Sequence, residues 1–375
     1  MTVRAARLTP PGTGAVATIA VVGTDAWPII YGLFQARRRL SIDEPPSPGS
    51  ILYGNFGEPP GDEVVVTVRP AIVNPWYEIH CHGGPQIVAW LLEQIEQRGA
   101  AIVDWTELES LNCRDTLSAA AMKLHPHALT TRAAQVLLEQ YHGALAMEVA
   151  AIIGHLESRD FVSADQQLKR LQSYIGVGSH LTRPWRVALC GPPNAGKSSL
   201  VNALAGFRRA VVTPTPGTTR DVVSTLVAFD GWPVELLDTA GIRTAADHLE
   251  NIGMELGMAA ARDADLVLWI TEPSHPMAPP ASFSNVLVVS NKCDLASDQS
   301  NQAISVSATT GVGLDRLMSA IVAHLIPLVP PPKAAVPITE AIGQAITAAL
   351  CSIQAGDLDA AFGVLRPLIS PADSA

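Results

Sequence analysis

"GPPNAGKSSL", residues 191–200, follows the apolar run "WRVALC" (185–190) and opens a helical pattern. Gly191, Gly196, Lys197 and Ser198 fit G-x-x-x-x-G-K-[ST], in the strand–loop–helix setting that this motif requires. Such a loop lets the backbone around Asn194, Ala195, Gly196, Lys197, Ser198 and Ser199 close on phosphate oxygens, at a helix N-terminus that favours an anion. Lys197 supplies positive charge of catalytic use, and Ser198 offers a hydroxyl to Mg2+. The spacing predicts a P-loop domain of α/β type rather than an ordinary Gly/Pro turn.

Four further loops bear on the nucleotide and its chemistry. "PVELLDTAG" (233–241) is a strand that ends on Asp238, with Thr239, Ala240 and Gly241 turning after it. The carboxylate can hold Mg2+ through water, and the Gly241 backbone can approach the γ-phosphate. "NVLVVSNKCDL" (285–295) is an apolar strand followed by Asn291, Lys292 and Asp294. A carboxylate can accept from both the ring N–H and the exocyclic amine of guanine, a donor pair that adenine lacks, so the pattern predicts GTP and GDP over ATP. "SVSATTGVG" (305–313) fits a backbone contact to the guanine oxygen at Ser307 and Ala308. "TPTPGTTRD" (213–221) lies where a switch loop is expected, with Thr219 as the second Mg2+ ligand and a catalytic residue. Ras-like GTPases carry a water-orienting glutamine after the DxxG turn; Ile242 stands there and cannot do this. Arg220 and Arg243 are read as surface or structural residues.

Outward from these loops, the 375 residues suffice for several domains. With 48% hydrophobic and 16% charged residues, wholesale disorder is not expected. No apolar run reaches the length of a membrane span, and Pro10, Pro11, Gly12 and Gly14 interrupt the N-terminus early, so a cytoplasmic protein without membrane contact is expected. Five scattered cysteines without a CxxC pair argue against a disulfide framework or a structural zinc site. A net charge of −10 excludes a protein that grips nucleic acid over its whole surface, leaving only local patches such as Arg37–Arg39 or Arg208–Arg209. Residues 1–115 read as an α+β domain, 116–182 as a first helical part, 183–328 as the G domain and 329–375 as a second helical part. "GVGSHLTRP" (176–184) reads as a linker and Cys351 as buried packing within a helix. The fold class is thus an α/β P-loop G domain inserted in a helical domain and preceded by an α+β domain.

The motifs above, together with "HLENIG" (248–253), resemble the MnmE (TrmE) family of tRNA-modification GTPases. "LTPPGTGAVATIAVVG" (8–23) and "EIHCHGG" (78–84) extend the likeness to the family's N-terminal domain. The resemblance implies a homodimer whose G domains pair around K+, with Asn194 as the P-loop ligand, helped by Thr213, Thr215 and Thr218. It implies that Glu250 positions the attacking water, and it implies tRNA and an MnmG-type flavoprotein as partners. It also implies a formyl-tetrahydrofolate site, from which this sequence departs. Ala20 replaces the family's arginine, the "SxTGED" segment is absent, and "KLHPHAL" (123–129) stands for "FLNGKLDL", while Glu78 is retained. The family's "CxGK" motif is not found before the sequence closes on "PLISPADSA". Two readings stay open: a GTPase of wobble-uridine modification, or a dimeric GTPase switch that has lost the one-carbon chemistry.

Overall fold

The computed structural model describes residues 3–70, 73–207, 223–238, 261–295 and 303–371. The chain divides into two compact units, Met1–Lys123 with Tyr141–Ile153 and Phe362–Ala375, and Leu124–Gln140 with Gly154–Ala361.

In the first unit, the described strands β1 (Arg4–Arg7), β2 (Val16–Val22), β3 (Phe34–Ala36), β4 (Ile51–Phe56), β5 (Asp62–Arg69), β6 (Trp76–His82) and β7 (Ala101–Ile102) form one sheet in the order β3-β4-β5-β6-β2-β1-β7. Period-two alternation sends Ala17, Ile19 and Val21 to one face. There they meet Trp27, Ile30 and Leu33 of the helix Ala26–Leu33 and Val88, Leu91 and Ile95 of the helix Pro85–Gln97. Each of the Val, Leu and Ile side chains contributes about 1.5–3 kcal/mol on full burial. The opposite face carries a smaller cluster of Ala6, Ala20, Val22 and Trp76, covered by Leu108 of the helix Trp105–Ser110. The sequence reading gives only an α+β class for residues 1–115 and does not place the helix Ala26–Leu33 or the strands β3 and β4. β4 alternates exposed and buried residues throughout, but its exposed positions include the apolar Ile51 and Tyr53, so no polar–apolar alternation marks it in the sequence.

The second unit holds a sheet of described strands β8 (Trp185–Cys190), β9 (Val223–Phe229), β10 (Trp232–Asp238), β11 (Leu266–Thr271), β12 (Val286–Ser290) and β13 (Ile304–Ser305), ordered β13-β12-β11-β8-β10-β9. All neighbours are parallel except β9 and β10. That pair is a hairpin closed by Asp230 (φ 47°) and Gly231 (φ 78°), the left-handed pair that a two-residue turn demands. Arg132 clasps the hairpin: Nη1 donates to the Asp230 carbonyl and carboxylate, both at 2.7 Å, and the guanidinium lies 4.5 Å from the Trp232 ring centroid.

The helical stretches on either side of this sheet meet within the same unit. The helix Glu340–Ala355 is capped by Thr339, whose hydroxyl accepts from the Ile342 N–H at 3.1 Å, and packs against the helix Phe161–Ser173. The buried Gln140 side chain donates to the Ala334 carbonyl and accepts from the Val336 N–H, both at 3.1 Å, tying down the Pro-rich segment. Two expectations are corrected. The stretch read as a linker from residue 176 contains a helical turn, Ile175–Ser179, because Val177 and Gly178 are buried and Gly178 leaves no room for a side chain against Pro337. Cys351 is exposed rather than buried. The buried stripe of its helix runs through Ile342, Ile346, Ala349 and Leu350, and the next residue is turned about 100° away from it. Among the described residues, no single helix is long and apolar enough to cross a membrane.

Candidate functional site

Parallel strands deliver their C-terminal ends to one edge of a sheet, and the following loops gather there. In the second unit these ends are Cys190 of β8, Asp238 of β10, Thr271 of β11, Ser290 of β12 and Ser305 of β13. The phosphate-loop, base-loop and Ser307–Ala308 candidates therefore converge although they are distant in sequence.

The phosphate loop runs from β8 into the helix Lys197–Phe207. Lys197 is half-buried, and its Nζ donates to the carbonyls of Gly191 (3.0 Å) and Pro192 (2.8 Å). Burial pushes its pKa down, and the neighbouring Asp238 carboxylate opposes that shift. Asn194 is exposed and sits in the left-handed region (φ 63°), and Ala195 is buried. Ser198 and Ser199 stand in the first turn of the helix, both exposed. Gly196 has φ 86°, and a Cβ there would strike the Asn291 amide. Asp238 is 6% exposed and lies in register with Leu189 of β8. Lys197, Ser198 and Asp238 can thus frame phosphate oxygens and a divalent cation.

The base side is bolted directly to the phosphate loop. Asn291 is buried; its Nδ2 donates to the Ala195 carbonyl at 2.9 Å, its Oδ1 accepts from the Ala308 N–H at 3.1 Å, and its N–H donates to the Thr271 carbonyl at 2.9 Å. Lys292 is left-handed (φ 65°), and its Nζ donates to the Asn194 carbonyl at 2.7 Å and to Glu272 Oε1 at 2.6 Å. Asp294 is exposed at the rim. Ser307 is buried in a tight turn, with its N–H on the Val312 carbonyl and its hydroxyl accepting from the Thr310 N–H. The sequence reading did not single out Glu272; an acid directly after the apolar run "LVLWIT" was the available signal.

Thr213, Thr215, Thr218, Thr219, Thr239, Ala240, Gly241 and Glu250 lie outside the described residues, as do Arg208, Arg209, Arg220, Ile242 and Arg243. Of the first basic patch, Arg37, Arg38 and Arg39 are all exposed; Arg37 lies 3.5 Å from Glu63 and stacks 5.0 Å from the Tyr53 ring centroid.

In the first unit, Ala20 pairs in register with Glu78 and is fully buried. Glu78 accepts from Trp76 Nε1 at 3.2 Å. Arg69 lies beside it at 3.9 Å, is bonded to Glu109 at 2.7 Å, and stacks 4.8 Å from the Trp76 ring centroid. Where the resemblance asks for an arginine toward a folate, the chain has a packed methyl group, and the cation of Arg69 is engaged by two carboxylates. These residues do not fit formyl-tetrahydrofolate.

Comparison with known proteins agrees with the nucleotide site. Residues 186–296 match the family described as 50S ribosome-binding GTPase. The chain is 34% identical to the tRNA modification GTPase MnmE of a Synechococcus species, over 83% of this chain and 78% of that protein. It is 34% identical to MnmE of Chloroflexus aurantiacus, over 86% and 81% respectively. For MnmE of Thermus thermophilus the identity is 30%, over 84% and 80%. The chain has a GTPase domain and hydrolyses GTP to GDP and phosphate.

Proposed function

The chain belongs to the MnmE family of tRNA modification GTPases, and from that premise we propose that it is a K+-stimulated GTPase whose G domains pair during turnover and whose cycle serves tRNA wobble-uridine modification. The observation that carries this reading is the convergence of the phosphate loop and the base loop, joined through Asn291 and Lys292. Lys197 and the N-terminus of its helix hold the phosphates, and Asp294 accepts from the two guanine donors while Ser307 and Ala308 present backbone to the guanine oxygen. Ser198, Thr219 and Asp238 are assigned to Mg2+, with Thr239, Ala240 and Gly241 lining the γ-phosphate. Asn194, with Thr213, Thr215 and Thr218, is assigned to K+; its exposed, left-handed position suits a ligand at the phosphates. When bound, the two cations supply positive charge against the phosphate oxygens. Glu250 orients the attacking water in place of the missing glutamine. A homodimer, an MnmG-type flavoprotein and tRNA complete the proposed partners.

The misfit at Ala20 and Arg69 favours a second reading, in which the nucleotide cycle persists without the one-carbon chemistry. Isothermal titration with formyl-tetrahydrofolate is expected to give no binding signal at micromolar protein, because Ala20 cannot form the charge-assisted bonds of an arginine and the nearby Arg69 is held by Glu109. A tight signal would remove the support for that reading. Mass spectrometry of wobble uridines after inactivation of the coding gene separates the two. Loss of the C5 substituent supports tRNA modification, whereas unchanged uridines alongside intact GTPase activity support the switch.

A further inference from the structure

We propose that Glu272 is a positioning residue of the guanine-nucleotide site, holding Lys292 so that its ammonium ties the base loop to Asn194 of the phosphate loop. Glu272 directly follows β11, the strand that lies between β12, which leads into the base loop, and β8, which leads into the phosphate loop. The acid therefore stands between the two loops at the edge where they meet. Its carboxylate lies 2.6 Å from Lys292 Nζ, and the same ammonium donates to the Asn194 carbonyl at 2.7 Å. One lysine head group thus spends two of its three donors on this bridge.

Backbone conformation gives the bridge its weight. Lys292 (φ 65°) and Asn194 (φ 63°) are both left-handed and neither is glycine. Asparagine tolerates that region through its short polar side chain, but lysine does not, at a cost of roughly 1–2 kcal/mol. Such a conformation persists where its surroundings over-determine it. Here the head group of one left-handed residue is fastened to the carbonyl of the other. Glu272 is the charged partner that keeps the ammonium in place when side-chain entropy would release it. The Lys292 and Glu272 side chains are 34% and 21% exposed, so the pair is partly shielded from water, and its contact is charge-assisted on both sides. An incidental surface pair would contribute little and would not couple to nucleotide binding.

The proposal rests on Lys292 belonging to the nucleotide site, and the experiment separates the two claims. A fluorescent GDP analogue is bound to the full chain and displaced by excess GDP, and its dissociation rate is read by stopped flow. Lys292→Met is expected to speed release strongly. Glu272→Ala is expected to speed it by about tenfold, and Glu272→Gln, which keeps an acceptor but loses the charge, by about threefold. Adding Glu272→Ala to Lys292→Met should change nothing further, since the carboxylate acts through that ammonium. The nucleotide-free melting temperature serves as the control for folding; if Glu272→Ala does not fold, Glu272→Gln carries the test. Wild-type release from Glu272→Ala, or full additivity with Lys292→Met, would overturn the proposal. Normal release from Lys292→Met would overturn the base-loop assignment and the proposal together.

Discussion

Lys197→Ala is expected to abolish measurable GTP and GDP binding, weakening affinity by about 10²–10³-fold or more. The lysine is half-buried at the first turn of its helix, and in the structure its ammonium rests on two loop carbonyls. Burial already disfavours its charge, so the phosphates and the ammonium stabilise each other in a site of reduced dielectric. Alanine would leave phosphate oxygens facing the loop without that countercharge. Equilibrium titration with a fluorescent guanine nucleotide reads the effect directly. Affinity within a few-fold of wild type would mean that the phosphates lie elsewhere.

Glu250→Ala is expected to slow GTP hydrolysis by about 10²–10³-fold while leaving GTP affinity nearly unchanged, because positioning a water contributes to the transition state rather than to nucleotide binding. The expectation follows from Ile242, which cannot orient water, and from the family's glutamate at "HLENIG". Single-turnover rates at saturating enzyme, together with a separate binding titration, distinguish a loss of chemistry from a loss of affinity. A parallel fall in both would make Glu250 a structural residue.

The nucleotide site was legible because its signals are local. A phosphate loop needs glycines, a lysine and a hydroxyl close together, and these are near neighbours in "GPPNAGKSS". The alternation of apolar strands with helical stretches likewise announced a parallel sheet, and β8, β10, β11 and β12 lie where those runs occur. Roles that arise between distant segments were not legible. Asn291 reads as a base-loop residue in sequence, but in the fold its side chain also fastens Ala195 and Ala308. Glu272 gains meaning only because β11 lies between β8 and β12. Arg69 is an ordinary strand residue until Glu78, Glu109 and Trp76 close around it. Cys351 was misplaced because composition alone cannot phase a helix whose apolar residues extend beyond its buried stripe. The burial alternation of β4 was hidden in the sequence, because its exposed positions include the apolar Ile51 and Tyr53 and because Gly54 and Asn55 weaken a strand pattern.

Cation stimulation of GTP hydrolysis through Asn194 is decided by single-turnover rates in K+ and in Na+ at equal ionic strength. The wild type should hydrolyse GTP faster in K+, and Asn194→Ala should erase the difference by removing the side-chain oxygen offered to the cation at the phosphates. Identical wild-type rates in the two salts would contradict a cation-stimulated mechanism.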